Sequence, residues 1–548
     1  MENTIQFSGN IVDIINEEVF PGTVFVHGDT IQKIVPDPSE THYDTYIMPG
    51  FIDSHIHIES SMLVPSEFAK AAVRHGTVAT ISDPHEIANV LGVQGVEFMI
   101  ENAEKSGFKF YFGAPSCVPA TDVETSGAKI TAQDIETLFK KYDLKYLSEM
   151  MNFPGVLNEF PDVMEKISIA KKYEKVIDGH APMLTEENLR TYIDAGISTD
   201  HETVLFEEGL EKIEKGMKVQ IRQGSAAKDL DKLMPLIEKY PQACMLCSDD
   251  RHPDDLISGH INLLVKKAAA SGIDRFKIFR AACLNPVEHY GLETGLLREN
   301  DSADFIIVDD LERLNVIQTV IHGKTVFKEN KVFLPEVEFS PLNNFKAEPK
   351  SVEDFRFETI AEEIHVIEAA DGQLLTGKCI EKPKIVNNNA VSDIDRDILK
   401  IAVVNRYENT SPSIGFIKNF GLKKGAMAGS VAHDSHNIIS VGTSDEMIAK
   451  AVNLVIREKG GLAVVSEEIE EVLSLPVAGI MSDKPAEYVA EKYTRTDKAA
   501  KQIGSMLHSP FMTLSFMALP VIPSLKITDK GLFDVDQFKL IEQDFIQS

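Results

Sequence analysis

A chain of 548 residues exceeds what one hydrophobic core sustains, so two or more domains are expected. With 43% hydrophobic and 26% charged residues it is an ordinary water-soluble composition, and a net charge of −30 spread along the chain excludes the basic face that nucleic-acid or anionic-membrane partners require. No apolar run is long enough to span a bilayer, and MENTIQFSGN has neither the basic start nor the apolar core of a secretory leader, so a cytoplasmic location is expected.

Residues 1–45 read as short strands (IVDII, VFVHG, IQKIV) separated by the turn signals SGN, FPGT and HGDT. The middle of the chain, about 46–300, alternates β-rich runs with amphipathic helical segments. The runs are TYIMPGFID, GTVATISD, KFYFGAPS, KYLSEMM, KVIDGHAP, GISTDHE, KVQIRQGS and ACMLCSDD. Eight such pairs predict a (β/α)₈ barrel of the α/β class. A doubly wound open sheet is the alternative, but the G-x-G-x-x-G phosphate loop it would favour is missing after the early strands.

Strand patterns return in SADFIIVDD and NVIQTVIHGKTVFKENKVF and could pair with the N-terminal ones in a small β-sandwich. KAEPKSVEDF then reads as a linker. Beyond it, strands such as ILKIAVVNRYE and GGLAVVS, with helices over DEMIAKAVNLVIREKG and EEIEEVLSL, predict a separate α/β or α+β domain. The expected division is 1–48 with 301–345 for the sandwich, 49–300 for the barrel and 355–548 for the C-terminal domain.

The five cysteines, Cys117, Cys244, Cys247, Cys283 and Cys379, are few, odd in number and scattered, as reduced thiols are. Cys244 and Cys247 form a C-x-x-C, but on a strand they point to opposite faces and read as core rather than as a metal pair.

In a β/α barrel the active site lies at the C-terminal ends of the strands. The predicted strands end, in order, in His55 and His57, in Asp83 with His85 and Glu86, in Ser116, in Glu149, in His180, in His201 with Glu202, in Arg222 and Gln223, and in Asp249 with Asp250. Residues two apart on a strand share a side, so His55 and His57 aim both imidazoles into the barrel mouth. Adding His180, His201, Glu149 and Asp249 gives four nitrogen donors and two carboxylates, a set suited to Zn²⁺, Mn²⁺ or Fe²⁺. That exceeds the need of one tetrahedral ion and implies two metals with a carboxylate between them. Taken singly, a histidine at a strand end is more often a capping or surface group; six donors at the same place in successive units are a different matter.

PGFIDSHIHIE, IDGHAP, TDHE and CSDD together resemble the amidohydrolase superfamily. SDPHEIANVLG, SEMMNFPGVL, CSDDRHPDDL and the distant VAHDSHNIISVG narrow the resemblance to the bacterial adenine deaminase family, over essentially the whole chain. The resemblance implies hydrolysis of adenine to hypoxanthine and ammonia in purine salvage, two divalent ions (Mn²⁺ or Fe²⁺ ahead of Zn²⁺), a small-molecule purine base as partner, and a homodimer. It places His55 and His57 on one metal, His180 and His201 on the other, Glu149 between them, and Asp249 on the first metal and the reacting water. Many relatives bridge with a carbamylated lysine; here Lys145 falls too early in its strand to reach the mouth.

His85 and Glu86 follow strand two and are the expected partners of a ring nitrogen, against the plainer reading of a Pro-turn and helix start. Arg222 and Gln223 are weaker candidates for contacting the base. His433, Asp434 and His436 could form a second site, close over the mouth, or merely cap local structure. Two other readings stand beside the deaminase: a dihydroorotase-like or hydantoinase-like ring opener, and a non-catalytic scaffold.

Overall fold

The computed structural model describes residues 4–39, 42–225 and 227–541. Among the described residues, eight parallel strands, each followed by helix, form a barrel in chain order: β1 (Phe51–His57), β2 (Thr77–Ser82), β3 (Lys109–Ala114), β4 (Tyr146–Met150), β5 (Val176–Gly179), β6 (Thr199–Asp200), β7 (Lys218–Arg222) and β8 (Cys244–Cys247). Ladders join β1 through β5 and β6 through β8. Between β5 and β6 the ladder lapses, and the Ser198 amide donating to the Ile177 carbonyl at 3.0 Å keeps the two in register. Asp249–Asp250 continues β8 and pairs with Ile56–His57, which closes the ring. Cys244 and Cys247 are both buried core residues.

The run TYIMPGFID, read as one strand, is two. Tyr46–Pro49 joins the small sheet, parallel to Asn10–Ile11 and antiparallel to Phe305–Val308, and only after Gly50 does the barrel begin. A Cβ on Gly50 would lie 2.2 Å from Val78 Cγ1, so a glycine is required where the chain passes from one sheet to the other. The small sheet is an eight-stranded ladder from both ends of the barrel. It folds over itself, with Thr30 bridging to Ser302, around a core of Ile11, Val24, Ile47 and Phe305.

The C-terminal region is built on a second eight-stranded sheet. Alternate residues of its strand Ile398–Val404 face opposite ways. Ala402 and Val404 pack with Ile448, Val452 and Val455 of the helix Asp445–Glu458. Ile401 and Val403 join the core that runs on into the barrel. The expected helix over EEIEEVLSL is instead the strand Glu470–Ser474, antiparallel to Gly461–Val465. Its glutamates favour helix in isolation, but a tight turn after Val465 returns the chain along the sheet, where each residue gains a ladder partner.

Candidate active site

The mouth of the barrel is assembled from strand ends. Asp53 ties β1 to β8: its carboxylate accepts the Ser248 amide at 3.0 Å and the Ser248 hydroxyl, and lies 2.8 Å from His260 Nε2. With that anchor in place, His55 and His57 bring their Nε2 atoms to 3.1 Å of one another. His57 Nδ1 donates to the Asp83 carbonyl at 3.3 Å, which leaves its Nε2 as a lone-pair donor.

Glu149, at the end of β4, lies between two histidine pairs. Its Oε1 is 3.2 Å from His57 Nε2 and 3.9 Å from His55 Nε2; its Oε2 is 2.6 Å from His180 Nδ1 and 3.2 Å from His201 Nε2. The Ser116 hydroxyl donates to the Glu149 carbonyl at 2.6 Å and fixes the strand there. Asp249 Oδ1 is 3.3 Å from His57 Nε2 and 3.7 Å from His55 Nε2. The Asp249 backbone is left-handed, φ +55°, which turns its carboxylate inward from β8. Burial alone would raise both carboxyls. His201 and His180 hold Glu149 well below the usual range, and His57, Arg222 and His201 do the same for Asp249.

These donors fit a pair of divalent cations. Acceptor atoms of His55, His57 and Asp249, and of His55, Glu149 and His201, lie within 4.8 Å of one another, all buried. The carboxylates demand positive charge at this point: against its burial, Asp249 and Glu149 hold the His57 imidazole well above its ordinary value. Lys145 is turned away and pairs with Asp143 at 2.7 Å, so the carboxylate between the two histidine pairs is Glu149.

His85 and Glu86 open the helix His85–Leu91 that follows β2. His85 Nδ1 faces Asp83 Oδ2 at 3.1 Å and Glu149 Oε1 at 3.4 Å. Glu86 is gripped from the C-terminal domain: His433 Nδ1 donates to one carboxylate oxygen and His436 Nε2 to the other, the latter at 2.5 Å. The helix start is held by Glu59, whose Oε1 accepts the Ile87 amide at 3.2 Å and whose carboxyl burial pushes up to about 7.

Arg222 is placed otherwise than a base-contacting residue would be. Its guanidinium is spent on Glu202, on Asp249 Oδ2 at 2.9 Å and on Asp229 Oδ2 at 3.1 Å, and neither it nor Gln223 lines the cavity. Sequence reasoning passed over the roof. Leu374, Phe516, Leu519 and Ile522, all from the C-terminal region, cover the mouth together with Met151, and the Phe516 ring stacks on His433 at 4.5 Å. In the sequence these are ordinary core residues; no spacing ties them to the barrel. Glu202 and Asp250, noted at strand ends without a role, also line the cavity.

Residues 46–326 match the amidohydrolase family, and residues 373–539 match the adenine deaminase C-terminal domain. A protein named adenine deaminase from Salinibacter ruber is 50% identical over 545 residues, spanning 99% of each chain. Another so named, from Sulfurovum sp., is 53% identical over 539 residues, covering 98% of this chain and 99% of its own. A third, from Borreliella burgdorferi, is 47% identical over 548 residues and covers 98% and 99%. With the two-domain match and full-length identity added to the site geometry, the chain belongs to the adenine deaminase family of amidohydrolases.

Proposed function

We propose that this centre hydrolyses the exocyclic C6–N bond of adenine, releasing hypoxanthine and ammonia in purine salvage. The observation that carries the reading is Glu149, with one oxygen toward His55 and His57 and the other toward His180 and His201. His55, His57 and Asp249 would hold one divalent ion and His180 and His201 a second, with the Glu149 carboxylate available to both. A mixed imidazole and carboxylate set suits Mn²⁺ or Fe²⁺, with Zn²⁺ also accommodated. Bound there, divalent cations supply Lewis acidity, which lowers the pKa of a water from ~16 to about 7.

The chain's own groups move the protons. Asp249, its Oδ2 held by Arg222, takes a proton from the attacking water on Oδ1 and passes it to the departing amine. Since Glu86 has both oxygens engaged by His433 and His436, His85 is the group left to protonate the ring nitrogen, with Glu86 Oε1 3.8 Å from its Nε2 to support the charge, and the proton lost from the new C6 hydroxyl as the amine departs restores it. The apolar roof excludes bulk water and offers a flat base a non-polar face. A ring-opening amidohydrolase is disfavoured, because Glu149 stands where such enzymes use a modified lysine. The acidic surface and free thiols accord with a cytoplasmic enzyme, and we read the assembly as a homodimer.

Ammonia release from adenine, adenosine, cytosine and dihydroorotate, with and without added Mn²⁺, tests the reading. Turnover of adenine, rising with Mn²⁺ to a plateau at two ions per chain, is the expected result. Activity on dihydroorotate alone would overturn it.

A further inference from the structure

We infer that His85, Glu86 and Asp434 form a third divalent-cation site, separate from the two metal positions, at which excess Zn²⁺ binds and blocks the purine. The third equivalent is a property of the chain alone; only its inhibitory effect rests on the adenine reading above. Of the group His433, Asp434 and His436 that the sequence brings together, only Asp434 is open. Both histidines reach to Glu86, and Asp434 faces His85.

Asp434 is held where it stands. The His436 amide donates to the Ala432 carbonyl at 2.7 Å and the Tyr407 hydroxyl to the Ser435 carbonyl at 2.5 Å, which closes the turn. The Asp434 side chain is 3% exposed, lines the cavity, and has an oxygen, Oδ2, that meets no hydrogen-bond partner. The neighbouring histidines do not supply one. Among the described residues no imidazole, ammonium or guanidinium nitrogen comes within 4.0 Å of this carboxylate. Ligand-capable atoms of Asp434, His85 and Glu86 nevertheless lie within 4.8 Å of one another, all buried. His85 Nε2 is 3.8 Å from Glu86 Oε1. Such gaps are too long for hydrogen bonds, and a small side-chain adjustment closes them on one ion, whose ligands stand about 3–4 Å apart when each bond is ~2.1 Å. Glu86 can join although both oxygens are engaged, because an ionised carboxylate offers about four acceptor positions and the two histidines use two.

The charge in the cavity points the same way. Of its six carboxylates, Glu149 and Asp249 belong to the metal positions, Glu202 is paired with Arg222, Glu86 with His433 and His436, and Asp250 accepts the Ser60 hydroxyl at 2.5 Å. Asp434 is left without a counter-charge, and among the described residues no lysine or arginine lines the cavity. Three ligands, one of them shared with two imidazoles, make a weaker site than the other two, filled only in excess. Zn²⁺ takes it ahead of Mn²⁺ by the general order of divalent affinities. An ion there occupies the imidazole assigned to the ring nitrogen and stands in the cavity that Phe516 and Leu519 roof.

The test starts from the full chain loaded with two equivalents of Zn²⁺ and adds Zn²⁺ in increasing excess. Bound metal is counted by equilibrium dialysis without substrate, and adenine kinetics are measured alongside. Asp434→Ala and the near-isosteric Asp434→Asn are treated alike, each read against its own rate at two equivalents, with melting temperatures recorded. The wild type should bind a third Zn²⁺, and KM for adenine should rise in step with it while kcat at saturating adenine holds. In Asp434→Ala the third equivalent should weaken by at least about 10-fold, no less than the loss of a group that merely orients a ligand, and the inhibition should weaken with it. The first two equivalents should stay, and Asp434→Asn, with a neutral oxygen, should fall between. A wild type that stops at two equivalents, or a third equivalent equally tight in Asp434→Ala, as Zn²⁺ caught on the acidic surface would be, would overturn the inference. So would inhibition that persists undiminished in both variants. A wild-type chain inert on adenine at two equivalents would overturn the purine reading instead, and the metal count would still decide this site.

Discussion

Asp249 shows how much one residue can be asked to do. One oxygen faces His57 and the other accepts from Arg222, while the backbone is held left-handed, a conformation aspartate tolerates better than most residues do. The two oxygens are differently placed: Oδ2 meets the guanidinium, and Oδ1, which faces the histidine pair, is the one to which we assign the proton transfer. Asp249→Asn keeps the shape and the coordinating oxygen but cannot take the proton. Its kcat should fall by about 10²- to 10⁴-fold, the usual worth of general acid–base catalysis, with KM for adenine little changed. Metal analysis should still find two ions per chain. A fully metallated Asp249→Asn with wild-type kcat would remove Asp249 from the proton path. This residue was legible in the sequence, as were His55 and His57, because strand period two and a common position at strand ends are local signals. The role of Arg222 was not. Whether a buried guanidinium meets a substrate or three carboxylates depends on neighbours 7, 20 and 27 residues away.

Between β5 and β6 the ladder lapses, yet His180 and His201 directly follow these two strands. A buried ion network replaces the missing hydrogen bonds. Lys212 donates to the Ala181 carbonyl and Asp200 Oδ2, both at 2.9 Å, to Thr203 at 3.1 Å and to Glu208 at 2.7 Å, while Asp200 Oδ1 accepts the Ala181 amide at 2.7 Å. The residues beside both histidines are thereby clamped to the helix Phe206–Glu214. Lys212→Met leaves Asp200 and Glu208 as uncompensated buried charges and should destabilise the fold by about 3–5 kcal/mol. It should also weaken the second metal equivalent by about 10- to 100-fold, because the groups that orient its ligands are lost, while the first equivalent binds as before. Two-step metal titration with melting curves reads both; equal weakening of the two steps would mean that Lys212 supports the barrel as a whole. The elements themselves were readable from alternation, down to the eight-strand count. Where the reading slipped, at Gly50 and at Glu470–Ser474, a tertiary partner decided: Val78 leaves no room for a side chain at the first, and the neighbouring strand recruits a helix-favouring run at the second.

At the scale of the whole molecule, the C-terminal domain completes a site that the barrel only begins. It sends His433 and His436 onto Glu86, contacts across more than 300 residues, and lays Leu374 and Phe516 over the cavity, an arrangement that no local pattern announces. The two roof segments meet at Lys526, whose buried amine donates to the Leu374 carbonyl at 2.9 Å and to the Phe516 carbonyl at 3.0 Å. Burial with no carboxylate partner pushes that amine down to about 7 from an ordinary value of 10.5. Below pH 7 both the folded and the unfolded chain hold the proton, and the cost of burying the charge is fully present. From pH 7 to 10.5 the unfolded chain keeps the proton and the folded chain releases it, so stability rises with pH across that window. Lys526→Met, which fills the space without ionising, lacks this dependence. The melting temperature of the wild type should therefore gain on that of Lys526→Met between pH 7 and 10, by an amount on the order of a few kcal/mol when expressed as stability. The comparison isolates one group because every other ionisable residue is common to both chains. A difference that stays constant across the window would mean that the amine remains charged beneath the roof, held by the two carbonyls alone.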